Sequence, residues 1–188
     1  MKLISIDPGI NGAIFIKDDK NNISKIYNMP TYKDKNDKNN FCIEEIVKII
    51  EEHKDANILV LEDVHCVMGN GAVSMFNFGR GKGILEGIAF SFKLKVIYVS
   101  PQIWKKNWEE LMAPKIDKEQ KSKYTNKELQ KIKSQNKANS KTKARELAGK
   151  LEPDLIDKFK KVKDDGPAEA VLIAHYIKKQ HIEGKLTI

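Results

Sequence analysis

The stretch Leu3-Ile4-Ser5-Ile6-Asp7-Pro8-Gly9 constrains this chain more than any other. Its first four residues suit the interior of a sheet. An acid follows, and Pro-Gly then turns the chain at once. A carboxylate at the exit of a buried strand is costly unless something pairs with it. A second run of the same shape, Ile58-Leu59-Val60-Leu61-Glu62, also ends in an acid. If the two strands lie side by side and parallel, their carboxylates reach one rim of the sheet about 5 Å apart. That separation lets two acids share a divalent cation.

The segments between these runs predict how they pair. Leu3–Ile6, Ala13–Ile16 and Ile23–Met29 read as three strands of an antiparallel meander, with tight turns at Asn11-Gly12 and Asp18–Asn22. Pro30–Asn40 reads as a polar loop. Phe41–His53 carries Ile43, Ile46, Val47, Ile49 and Ile50 mostly on one helical face. A helical crossover implies a parallel return into Ile58–Leu61. Cys66–Gly71 reads as a loop, Val73–Phe92 as a helix and Lys95–Val99 as the fifth strand. Ser100-Pro101 starts a further helix, with Trp104 and Trp108 four apart. The expected fold is therefore α/β, a mixed five-stranded sheet flanked by helices.

The 188 residues fit one domain, 1–188, with an insertion. That insertion is placed at about 113–139, where eight lysines leave little to bury. It is expected to be partly helical from about Lys118, or mobile, and to serve as a solvated surface segment or as an arm that rests on phosphates. Ser140 is expected to cap a separate helix over Lys141–Leu151, and Glu152–Lys163 is a charged connection. Gly166-Pro167 opens the last helix, which runs to about Gln180 with Ala170, Val171, Ile173, Ala174 and Ile177 inward. Gly79, Gly83, Gly87 and Ser91 recur every fourth residue on the Val73–Phe92 helix. Each glycine costs a helix about 1 kcal/mol relative to alanine. The stripe implies close approach of another backbone, either the sheet or a helix of a second copy.

No apolar run is long enough to span a bilayer, no signal peptide is recognisable, and the expected location is cytoplasmic. Cys42 and Cys66 have no motif spacing and are expected to be reduced thiols. The net charge of +8 favours a polyanionic partner. Walker-type phosphate loops are absent, which ranks an ATPase low.

A third acid group, Asp164, Asp165 and Glu169, stands at the start of the final helix. Asp165 and Glu169 are four apart and share a helical face. If that helix starts beside the rim where the two acid-tipped strands end, three or four carboxylates converge. Mg²⁺ suits such a set, since it takes oxygen ligands and keeps several waters. Duller roles exist for each acid: a turn aspartate at Asp7, a surface residue at Glu62 with Asp63 as an equal claimant, and a helix cap or first-turn acid in the third group.

In order along the chain, Ile6-Asp7-Pro8-Gly9, Leu61-Glu62-Asp63-Val64, Asn77-Phe78-Gly79-Arg80-Gly81-Lys82-Gly83, Val99-Ser100-Pro101 and Asp165-Gly166-Pro167-Ala168-Glu169-Ala170 resemble the RuvC-type Holliday junction resolvases. The resemblance fails across the lysine-rich segment. It implies a ribonuclease-H-like fold and a homodimer that nicks a four-way DNA junction symmetrically, with Mg²⁺ or Mn²⁺, two per site. It implies metal-binding acids at Asp7, Glu62, Asp165 and Glu169. The family acid before the last one falls at Gly166 here, so Asp165 takes its place. Lys141 or Lys143 matches the lysines that bind the scissile phosphate, and Lys141 is grouped with the catalytic acids. The family's wedge phenylalanine falls at His65, with Phe76 or Phe78 as substitutes. Arg80 and Lys82 complete the expected DNA contacts. Other readings are a nuclease of the same fold acting on branched DNA, RNA–DNA hybrids or RNA, or a non-catalytic DNA-binding module. His175, six residues after Glu169, is expected to be a core or surface histidine.

Overall fold

A computed structural model describes residues 1–63, 71–112, 114 and 122–187. Three antiparallel strands open the chain: β1 (Lys2–Asp7), β2 (Ala13–Asp18) and β3 (Ile23–Asn28). A small separate hairpin follows, β4 (Thr31–Lys33) and β5 (Asn39–Phe41). Then come α1 (Ile43–Glu52), β6 (Ile58–Glu62), α2 (Ala72–Ser91) and β7 (Val96–Val99). The chain closes with α3 (Pro101–Lys105), α4 (Asn126–Leu151) and α5 (Asp165–Ile182). The five long strands form one mixed sheet in the order β3-β2-β1-β6-β7, with β6 parallel to both β1 and β7. This is the α/β sheet the sequence predicts.

Strand alternation sorts the side chains into two cores. On one face Leu3, Phe15, Ile58 and Val60 pack with Ala144 and Ala148 of α4 and with Ala170 to Ala174 of α5. On the other, Ile4, Ile6, Leu59 and Leu61 pack with Ile46 and Ile50 of α1 and with Leu85 and Ala89 of α2. Leu3 pairs with Ile58 and Ile6 with Leu61, so Asp7 and Glu62 end adjacent strands in register. Asp7 shares a face with Leu3 and Ser5, and Glu62 with Ile58 and Val60. Both acids therefore end the face that α5 covers. The Ser5 hydroxyl donates to the Ala170 carbonyl at 2.6 Å and ties α5 to β1 beneath them.

Three local expectations are corrected. Pro30–Asn40 is not simply a loop but contains β4 and most of β5, held by Thr31↔Phe41 pairing. Ser140 caps nothing: α4 is one helix from Asn126, started by a capping box in which the Thr125 hydroxyl accepts from the Glu128 amide at 3.3 Å. The Ser140 hydroxyl instead donates to the Leu111 carbonyl at 3.0 Å. The glycine stripe does not meet the sheet, since a Cβ at Gly79, Gly83 or Gly87 would have nothing within 4 Å among the described residues. The close approach on α2 is at Gly81, against the Phe41 ring.

Candidate active site

The β1–β2 turn and the first turn of α5 fit together because both lack side chains at the contact. Gly12 donates to the Gly9 carbonyl at 2.8 Å, and a Cβ on Gly12 would strike the Asp7 carbonyl. A Cβ on Gly166 would strike the Asn11 carbonyl and lie 2.6 Å from the Gly12 Cα. These two glycines let α5 start directly against the end of β1. Helical periodicity then carries Glu169, one turn on, over the ends of β1 and β6.

Glu62 is 4% exposed. Its Oε1 accepts from the Trp104 indole Nε1 at 2.8 Å. Val99 pairs with Glu62, and the Ser100-Pro101 start turns α3 back across the same rim, which brings Trp104 over the carboxylate. The next residue, Lys105, places Nζ 2.9 Å from Glu169 Oε1 and 4.9 Å from the Trp104 ring centroid. Asp7 Oδ1 accepts from the Gly9 amide at 3.1 Å.

Burial pushes Glu62 up to about 8, with repulsion from Glu169 and Asp7 adding to it and the Trp104 bond and Lys105 opposing. Burial and then Glu169 push Asp7 up to about 7, against the Gly9 amide and the charges of Lys105 and Lys141. Burial works against the Lys105 ammonium, but Glu169, Glu62 and Asp7 together hold its proton more tightly than usual. Three acids thus face one another with one lysine between them, and two of them keep protons near neutrality. Such a set takes up protons or cations to relieve its repulsion. Oxygen donors of this kind suit Mg²⁺ or Mn²⁺. Among the described residues, no group of three or more acid, histidine or cysteine side chains stands close enough together to hold a metal ion.

The other expected residues divide. Asp165 lines the same cleft but is ion-paired, with Lys141 Nζ 2.7 Å from Oδ2 and the Arg145 guanidinium on Oδ1. Asp164 accepts from the Lys161 amide at 2.8 Å and makes no side-chain cap. Lys143 is exposed on α4. Phe78 and Arg80 face a neighbouring groove, Phe76 is 71% exposed, and Lys82 turns to Asp63 and the Tyr98 ring. His65 and Cys66 lie outside the described residues, while Cys42 is a free, half-buried thiol. His175 binds Glu152 at 2.7 Å, away from the acids. The sequence reading passed over Trp104, Lys105 and Arg145 as site residues. The signal for Trp104 was the Ser-Pro helix start directly after a strand that adjoins Glu62. The cleft itself encloses about 830 Å³, with Lys105, Lys137, Lys141 and Lys163 interleaved among Asp7, Asp164, Asp165 and Glu169.

No protein-family model and no curated protein matches the sequence. Solved structures do. Thermus thermophilus RuvC in complex with a Holliday junction substrate matches over 98% of this chain and 98% of its own, at 11% identity and a TM-score of 0.51. The fold is RuvC-like. A second Thermus thermophilus RuvC structure matches over 95% of this chain and 96% of its own, at 13% identity and a TM-score of 0.43. In this RuvC-like sheet the acids stand at the ends of two adjacent parallel strands and at the start of the last helix. No helix among the described residues is long and apolar enough to cross a membrane.

Proposed function

We propose that the chain is a divalent-metal-dependent endonuclease that resolves four-way DNA junctions by paired nicks. The single observation that carries this reading is the convergence of Asp7, Glu62 and Glu169 on one face of a RuvC-like sheet. The solved structure with the same fold is bound to a Holliday junction, and the proposal extends that substrate to this chain. Asp7, Glu62 and Glu169 would hold Mg²⁺ or Mn²⁺, with Asp165 at the same rim. The ion's chemistry, when bound, is activation of the attacking water and stabilisation of the departing 3′ oxygen.

The chain's own residues do the rest. Asp7 and Glu62 would have to give up their protons to hold the cation, so metal affinity is expected to rise with pH up to about 8. Trp104 fixes the orientation of Glu62, and Lys105 holds Glu169. Lys137, Lys141 and Lys163 present positive charge where a phosphate must approach the acids. Arg145 keeps Asp165 from adding a further unpaired negative charge.

Two matched nicks need two sites related by an axis, which a C₂ dimer provides. The open glycine face of α2 is the proposed contact. Gly79, Gly83 and Gly87 lie on one side of that helix with Phe76 and Phe90, which are 71% and 59% exposed. Small residues let two helices approach closely, and the phenylalanines supply apolar area.

The test is cleavage of four-way junctions, RNA–DNA hybrids and RNA hairpins, with and without Mg²⁺. Asp7→Asn is expected to bind junctions and cut none. Preference for a hybrid or hairpin would replace junction DNA with that substrate. Absence of Mg²⁺-dependent cutting on every substrate would leave only a binding module.

A further inference from the structure

A second depression, of about 540 Å³, lies on the other side of the β1–β2 turn from the acids. Ile10 lines both cavities, and Pro8, next to Asp7, lines the second. One wall is the β4–β5 hairpin and the other is the N-terminal half of α2. The hairpin is stiffly built. The Asp34 carboxylate accepts from the Asn36 amide at 2.8 Å, the Lys38 amide at 3.1 Å and the Asn40 side chain at 3.1 Å. The Cys42 amide closes its base on the Pro30 carbonyl at 2.9 Å. Gly81 sets its distance from α2, because the Phe41 ring occupies the place where a Cβ would stand.

The chemistry of the walls is specific. Tyr32 offers an aromatic ring that is 54% exposed, and Phe78 faces the same space from α2. Asn77 and Arg80 enter no ion pair or side-chain hydrogen bond among the described residues. Exposed rings stack on any nucleobase. Asparagine amides and guanidinium groups pair with base edges through two hydrogen bonds at once.

We infer that this groove is a nucleobase subsite. An unstacked base of the strand presented to the acids stacks on Tyr32 and is read by Asn77 and Arg80, so the groove selects the nucleotide that flanks the cut. This rests on the nuclease reading above, and continuity through Ile10 and Pro8 links the two sites.

The experiment uses the full chain in EDTA, which holds a junction uncut. The junctions carry 2-aminopurine, a fluorescent base quenched by stacking, at each position beside the exchange point in turn. One position is expected to lose most of its fluorescence on binding, and Tyr32→Ala to restore it while junction affinity changes little. With Mg²⁺, Asn77→Ala is expected to flatten the base preference beside the cut by about tenfold or more. Matching melting temperatures check that both variants fold. Quenching that is the same in wild type and Tyr32→Ala, or an unchanged base preference in Asn77→Ala, overturns the subsite. So does a change of oligomeric mass in Tyr32→Ala without a change in fluorescence, which would make the groove a contact between copies. If the wild type binds no junction, the nuclease reading fails separately. A single-stranded 2-aminopurine oligonucleotide then decides the groove alone, by Tyr32-dependent quenching or its absence.

Discussion

Glu62→Gln isolates the electrostatic cost of the acid cluster. Glutamine keeps the size of the side chain and an oxygen for the Trp104 Nε1 bond, but it cannot ionise. Burial first, then Glu169 and Asp7, raise the Glu62 carboxyl from 4.5 to about 8. Between those values the folded chain keeps a proton that the unfolded chain gives up, so stability falls as pH rises. The contribution is fully present below about pH 4.5 and is lost as pH rises through about 8. The whole gap corresponds to about 5 kcal/mol. Part of that repulsion is shared with Glu169 and Asp7, which leaves about 2–4 kcal/mol for removal of this one charge. For a chain of this size the difference is roughly 5–15 °C in Tm. The assay is thermal unfolding in EDTA across the range from about pH 5 to about pH 9. Wild type is expected to lose stability with rising pH, and Glu62→Gln to stay flatter and overtake it. Mg²⁺ is expected to restore wild type more than the variant, because the cation takes the place of the lost proton. Superimposable pH profiles for the two proteins would refute the reasoning, since Glu62 would then be a solvated carboxylate.

Gly166→Ala places a methyl against backbone that cannot yield, and is expected to cost about 1–3 kcal/mol in urea unfolding. Gly83→Ala, on an open face of α2, is expected to stabilise the helix by about 1 kcal/mol. If the stripe is the dimer contact, the same change weakens self-association in sedimentation, and unchanged association removes the stripe from that role. Glu152, buried to 5% exposure, is drawn upward by burial, but its bonds to His175 and Lys17 bring it down to about 2. Its stabilisation is present above about pH 4.5 and is lost as pH falls through about 2. Glu152→Gln is therefore expected to lose about 3 kcal/mol at neutral pH and to converge with wild type in strong acid.

Strand periodicity made the sheet legible. Leu3–Ile6 and Ile58–Leu61 are buried on both faces, and runs of that composition have few other places to go. Asp7 and Glu62 were legible because they interrupt those runs at the same end. The hairpin was not legible, since β4 and β5 are three residues each and largely polar. The start of α4 at Asn126 was not legible because the lysine-rich stretch carries few apolar residues to mark a helical face. Lysine, glutamate and glutamine are nevertheless good helix formers, and Thr125 with Glu128 supplied the start signal. Lys105 had no signal of its own. Its place among the acids depends on α3 folding back over the rim, which is a tertiary fact.

Gly166 is the residue where sequence pattern and packing pull apart. The resemblance expects an acid there, and the structure supplies the reason for its absence. Position 166 touches the Asn11-Gly12 backbone, so any side chain would push α5 away from β1 and carry Glu169 with it. The acid one residue earlier therefore projects in a different direction around the helix, roughly 100° away. That rotation turns Asp165 toward Lys141 and Arg145 of α4, whereas Glu169 stays over Asp7 and Glu62. The tight glycine contact thus keeps three acids together and makes the fourth a bridge to the lysine-bearing helix. Spacing along the helix alone would have treated Asp165 and Glu169 as equivalent. It is the neighbours across the gap, Lys141 and Arg145 for one and Asp7, Glu62 and Lys105 for the other, that separate them.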